Sequence, residues 1–263
     1  MKKPKIALVL SGGGARGIAH IGVIEELLRR GYEISSVAGT SMGALVGGMY
    51  ASGNLQPFKV WMESLDKYKV FSLLDFSFSG NGLVKGDRVI HVMKQMIPDV
   101  RIEQLPIPFA AVAADWVTGE EVVFERGGLY HAIRASISIP SFFKPLHAGN
   151  RMLIDGGTVN PLPVNRVQRT RGDLLIAVDV CRGFLQPPAV RIKQSNSSFK
   201  MIHSSMQIMQ QQITRLTLAQ CPPDIVIPME ADRFGVFEMY RAREIVAHGH
   251  TIARQALDAF EGE

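Results

Sequence analysis

The chain has 263 residues, of which 46% are hydrophobic and 20% charged, with a formal net charge of +5. That is enough apolar material for a sizeable core in an α/β domain, and it excludes disorder as the main state. Two cysteines, Cys181 and Cys221, are too few for a disulfide scaffold or a cysteine-rich zinc site, and their sparsity suits a reducing compartment.

Lysines precede an apolar run at the N-terminus, as in a secretory leader. The run Ile6–Leu10 is too short for one, and Gly12-Gly13-Gly14 ends it, so Lys5–Leu10 reads as a buried strand of a cytoplasmic protein. A helix follows over Ile18–Arg30, with Ile21, Ile24, Leu27 and Leu28 at helical spacing and Gly31 as its stop. Residues 34–58 carry no charge, but repeated glycines make them a strand (Ile34–Ala38) and a helix (Ala44–Ala51) rather than a membrane span. Residues 56–97 read as interrupted helix with an aromatic, turn-rich piece over Phe71–Gly82.

Further on, Phe109–Asp115 and Glu121–Phe124 read as strands joined at Thr118-Gly119, followed by a helix over Leu129–Ala135 and strands at Arg151–Ile154 and Asp173–Val180. Arg182–Ser198 reads as a loop. Phe199–Gln220 is a helix, Ile225–Ile227 a strand and Glu238–Phe260 a closing helix. Strands alternating with helices imply an α/β fold with a mostly parallel central sheet covered on both faces. Basic residues are scattered rather than striped along a helix, which speaks against a nucleic-acid partner.

Gly39-Thr40-Ser41-Met42-Gly43 is a G-x-S-x-G match at a strand-to-helix junction. A nucleophile elbow needs that context: Gly39 and Gly43 leave room for a sharp turn that lifts Ser41 onto a helix N-terminus. The bland alternative is Ser41 as an ordinary helix N-cap. The earlier run Gly12-Gly13-Gly14-Ala15-Arg16-Gly17 also reads as G-x-G-x-x-G, but the acidic residue that a dinucleotide site needs after the second strand is absent, since Glu33 lies before it. A nest of glycine N–H groups acting as an oxyanion hole fits better. Arg16 either adds positive charge there or pairs with a carboxylate.

The seven histidines, among them His248 and His250 in a helical stretch, lack the setting of a catalytic base. Asp115, Asp155 and Asp179 sit at strand ends, and Asp155 is followed by Gly156-Gly157, which permits a tight turn and close approach. A desolvated carboxylate can serve as general base to a serine without imidazole.

Taken in order, the glycine nest with its arginine, the serine elbow and Asp-Gly-Gly resemble the patatin-like phospholipase family, in particular bacterial members related to neuropathy target esterase. The resemblance covers roughly residues 6–180. It implies Ser41 as nucleophile, Asp155 as general base and the loop Gly12, Gly13, Gly14, Arg16 and Gly17 as oxyanion hole. It further implies a three-layer α/β/α fold and hydrolysis of lipid esters, at a membrane surface if the enzyme is peripheral. The chain reads as a single 1–263 domain that needs no cofactor, and it shows no metal-ligand cluster, since His248 and His250 are only two apart on a helix. The extension 199–263 has no role assigned. Two alternatives stand beside this one: an acyltransferase or thioesterase on the same residues, and a nucleotide-binding regulator using the glycine loop. Phe71, Leu73, Leu74, Phe76, Phe78, Ile137, Ile139, Phe142 and Phe143 are candidates for an acyl channel, with core packing the alternative for each. In Phe199–Gln220 the series Phe199, Ile202, Met206, Met209, Ile213 and Leu216 predicts a face docked on its own domain, with lipid or a second subunit as other uses of a Met-rich surface.

Overall fold

The structure, a computed structural model, describes residues 4–73, 87–140, 142–182 and 198–262. In chain order the elements are β1 (Lys5–Leu10), α1 (Ala19–Arg29), β2 (Glu33–Thr40), α2 (Met42–Ala51), α3 (Leu55–Glu63), α4 (Lys67–Leu73), α5 (Asp87–Met96), β3 (Phe109–Asp115), β4 (Glu121–Phe124), α6 (Leu129–Ser136), β5 (Leu146–Ala148), β6 (Arg151–Asp155), β7 (Leu174–Arg182), α7 (Ser198–Gln220), β8 (Ile225–Glu230) and α8 (Ala242–Glu261). The short edge strand β5 has no counterpart in the sequence reading. Part of the Phe71–Gly82 piece and most of the Arg182–Ser198 segment lie outside the described residues.

One sheet holds all eight strands. β1 sits at its centre with β2 on one side and β7 on the other, and the pairs β2–β3 and β7–β8 extend the same parallel core. Period-two alternation along β1 builds the layers. Ile6, Leu8 and Leu10 point into the large core shared with α1, α2, α6 and α8, while Ala7 and Val9 meet Leu162, Val164, Leu175 and Ala177 on the other face. Small side chains on that second face let the irregular segment around Leu162–Val164 and the end of α7, at Leu218, lie close to the sheet.

The antiparallel part positions the site. β2 pairs with β3 up to Thr40↔Val112 and then stops. Ala113 and Ala114 pair with β4 and with β6 at once, so β6 must occupy the edge of β3 opposite β4, which is the β2 edge. β2 and β6 therefore meet end to end along β3, and the last residue of β6, Asp155, arrives opposite Ala113, one residue beyond the end of β2. Gly156 permits the next bend, because a methyl there would enter the Val112 carbonyl. No helix among the described residues is long and apolar enough to cross a membrane.

Candidate active site

Ser41 links β2 to α2 with φ 55° and ψ −123°, the one non-glycine residue at positive φ among those described. Glycines make the turn fit: a methyl at Gly39 would enter the Gly43 peptide, and one at Gly43 the Leu10 carbonyl. Ser41 stands at the N-cap position of α2, yet its side chain makes no capping hydrogen bond. Its hydroxyl is thus left free of the helix, unlike an ordinary cap. Its N–H donates to the Ser136 hydroxyl at 2.8 Å, and that hydroxyl in turn donates to the Val112 carbonyl at 2.6 Å. Ser136, fully buried at the end of α6, was not singled out in the sequence; a lone serine closing a helix carries no motif.

Asp155 is 6% exposed and Ser41 5%. The Asp155 carboxylate accepts the Gly157 N–H at 2.7 Å, and the Ser41 hydroxyl lies near enough to act on its proton affinity. Burial pushes the Asp155 carboxyl up to about 6, with the Ser41 hydroxyl and the Gly157 N–H pulling the other way. The Asp155 N–H donates to the Ser138 carbonyl at 2.9 Å, so the end of α6 and the turn after it brace both Ser41 and Asp155.

The glycine loop divides into distinct roles. Gly12 is not a free donor, because its N–H is given to the Pro161 carbonyl at 3.0 Å. The N–H groups of Gly13 and Gly14 have no acceptor among the described residues. Both glycines, with Ser41 and Asp155, line a cavity of about 630 Å³. Arg16 pairs with no carboxylate among the described residues. It is buried and donates to the Gly13 carbonyl at 3.2 Å and the Ala231 carbonyl at 2.7 Å. Because a peptide's C=O and N–H point in opposite directions, fixing the Gly13 carbonyl also fixes the direction of the Gly14 N–H. Gly17 is not part of the cavity lining, and a methyl there would overlap Met42, the first residue of α2. That close approach seats the glycine loop against the Ser41 elbow.

The same cavity is lined by Asp179, Cys181 and Arg182 from β7 and by Gln207, Gln210 and Gln211 from α7. Sequence reading gave none of the last four a role; amides spaced along a helix carry no signal without knowledge of what they cover. Burial raises the Asp179 carboxyl above its usual range and the Cys181 thiol to about 11, so Cys181 stays a neutral donor, to the Gly12 carbonyl at 3.3 Å. Among the acyl-channel candidates Ile139 lines the cavity. Ile137 and Phe143 are buried in the core, Phe142 stacks on Phe237 at 4.5 Å, and Leu73 packs against the core instead. Phe71 lies exposed on α4, and Leu74, Phe76 and Phe78 lie outside the described residues. His20, fully buried with its Nε2 on the Ser11 carbonyl at 2.9 Å, is pushed down to about 4 by burial and stays neutral.

A patatin-like phospholipase family model matches residues 8–167. An NTE family protein of Mycobacterium tuberculosis is 34% identical over 98% of this chain and 92% of its own length. Mouse patatin-like phospholipase domain-containing protein 6 is 32% identical over 66% of this chain, which corresponds to 13% of that longer protein. The fold is similar to that of VipD from Legionella pneumophila, with a TM-score of 0.52 at 15% identity over 99% of this chain and 67% of the other. Fold and relatives define the class, an α/β carboxylic ester hydrolase. Within it, the chain belongs to the patatin-like phospholipase family.

Proposed function

We propose that the chain is a serine lipid acyl hydrolase working through a Ser41–Asp155 dyad. Asp155 takes the Ser41 proton as the oxygen attacks an ester carbonyl, and the Gly13 and Gly14 N–H groups receive the negative charge of the tetrahedral intermediate. Collapse expels the alcohol, which leaves with the proton returned by Asp155, and forms an acyl-Ser41. Water deprotonated by Asp155 then releases the fatty acid. The observation that carries this reading is a buried carboxylate with a raised pKa near a hydroxyl held at positive φ and uncommitted to its helix. Unaccepted glycine donors in the same cavity supply the electrostatic part, worth roughly 3 kcal/mol per donor in comparable sites.

The test is hydrolysis of p-nitrophenyl butyrate and of a lysophospholipid by the parent, Ser41→Ala and Asp155→Asn, each checked for folding by circular dichroism. Both variants lose about three orders of magnitude or more in kcat. For the parent, kcat/KM rises with pH through about 6 and then levels, because the base must be ionised. Parent-like rates in either variant would overturn the assignment.

A further inference from the structure

α7 has two faces of opposite character. Met206, Gln207, Gln210, Gln211, Thr214 and Leu218 turn inward onto the cavity that holds Ser41 and Asp155, which Gln212 and Arg215 also line. On the other side Met201, Ile202, Ile208, Met209 and Leu216 are 57–67% exposed. At 100° per residue these five fall within about 120° of arc, roughly opposite the inward set. Residues 198–220 include no aspartate or glutamate, and their charges are Lys200 and Arg215. Arg215 has no carboxylate within ion-pairing distance among the described residues. Ordinary surface helices carry mixed charge on the outer face; here no charged residue falls within the exposed arc, which sets these five apolar side chains, two of them flexible methionines, beside Ser205 and Gln212.

We propose that the outer face of α7 is the surface by which the enzyme docks on a phospholipid bilayer. This rests on the lipid hydrolase reading in one respect: lipid is the occupant because the reverse side of the same helix lines the cavity where the ester would react. An apolar arc on a 23-residue helix suits burial at the headgroup boundary, lying flat rather than crossing. The absence of acidic residues complements an anionic surface. Docked in this way, α7 brings the cavity next to the acyl chains it would admit.

The experiment measures co-sedimentation of the full chain, in the Ser41→Ala background to prevent turnover, with phosphatidylcholine vesicles containing phosphatidylglycerol. It is compared with the triple variant Ile208→Gln, Met209→Gln and Leu216→Gln, none of whose side chains lines the cavity. The expected result is a tenfold or greater loss of vesicle partitioning. In the Ser41 background the triple variant keeps kcat/KM on soluble p-nitrophenyl butyrate within twofold and loses activity on vesicle-borne substrate. Equal vesicle binding by both proteins would overturn the proposal, as would no binding by either. A change from dimer to monomer on ultracentrifugation, with vesicle affinity unchanged, would assign the face to a second copy and overturn it as well. Failure of the dyad reading is separate, since it appears as activity surviving Ser41→Ala and leaves vesicle binding untouched.

Discussion

Ser41 carries a conformational cost that its neighbours sustain. A non-glycine residue at φ 55° and ψ −123° costs on the order of 1–3 kcal/mol, and it persists when surrounding structure over-determines it. Here the elbow glycines leave the space, and Ser136 accepts the Ser41 N–H. A comparison of two inactive variants isolates the strain. Both Ser41→Ala and Ser41→Gly remove the hydroxyl, but only glycine removes the Cβ that objects to positive φ. At an unstrained site glycine would be the less stable by roughly 0.5–1 kcal/mol, through the entropy of the unfolded chain. At this site the order inverts, with Ser41→Gly more stable than Ser41→Ala by about 1 kcal/mol in urea unfolding. Ala above Gly would mean the turn is relaxed.

At the scale of elements, α6 acts as a jig across the gap where β2 and β6 meet. Its last residue holds the Ser41 N–H, and the Ser138 carbonyl just beyond holds the Asp155 N–H. Ser136→Ala leaves a buried donor at Ser41 and removes the Ser136 bond to Val112, at about 1–3 kcal/mol. Because Ser136 acts through Ser41, kcat falls roughly tenfold with KM little changed, which steady-state kinetics on p-nitrophenyl butyrate reads directly. A purely structural role would lower thermal stability alone. The elements that frame this gap were legible in the sequence where the pattern was continuous: Phe109–Ala114 is an unbroken apolar run closed by Asp115, and the reading matches β3 residue for residue. The Gly39–Gly43 turn and the Asp155-Gly156-Gly157 turn were legible because steric demand leaves only glycine there. β5 was not, since three residues at a sheet edge carry no period. α7 was misjudged for a physical reason. Its three- and four-residue apolar series predicts a docked face, whereas Ile202, Met209 and Leu216 stand outward, and of the described side chains in that series Met206 and Ile213 are the partly buried ones. The periodicity rule assumes a close-packed core beneath the helix; α7 instead covers the site cavity, and Gln207, Gln210, Gln211 and Thr214 stand on that inner side.

Across the whole molecule, two carboxylates pull stability in opposite directions with pH. Glu26, 1% exposed, accepts hydrogen bonds from Arg29 at 2.6 and 2.8 Å and from Arg30 at 3.0 Å; Arg30 continues to Asp258 and Glu261, which ties α1 to α8. The arginines hold Glu26 down to about 2 from an ordinary 4.5. A depressed folded pKa stabilises fully above about 4.5 and loses that stabilisation as pH falls toward 2, a change of order 3 kcal/mol. Asp155 works in reverse. Raised from 3.8 to about 6, it costs nothing below about 4 and up to roughly 3 kcal/mol once pH passes 6, where catalysis needs it ionised. These two groups alone therefore place the stability maximum near pH 4 and the activity plateau above 6. Melting temperature recorded from pH 3 to 8 separates them. Glu26→Gln flattens the rise between pH 3 and 4.5, while activity per folded molecule stays at the parent value, since Glu26 is absent from the cavity lining. Asp155→Asn flattens the decline between pH 4 and 6 and melts above the parent at pH 8. Parallel curves for Asp155→Asn and the parent across pH 4–6 would mean that the carboxyl titrates in the folded protein as it does in the unfolded chain.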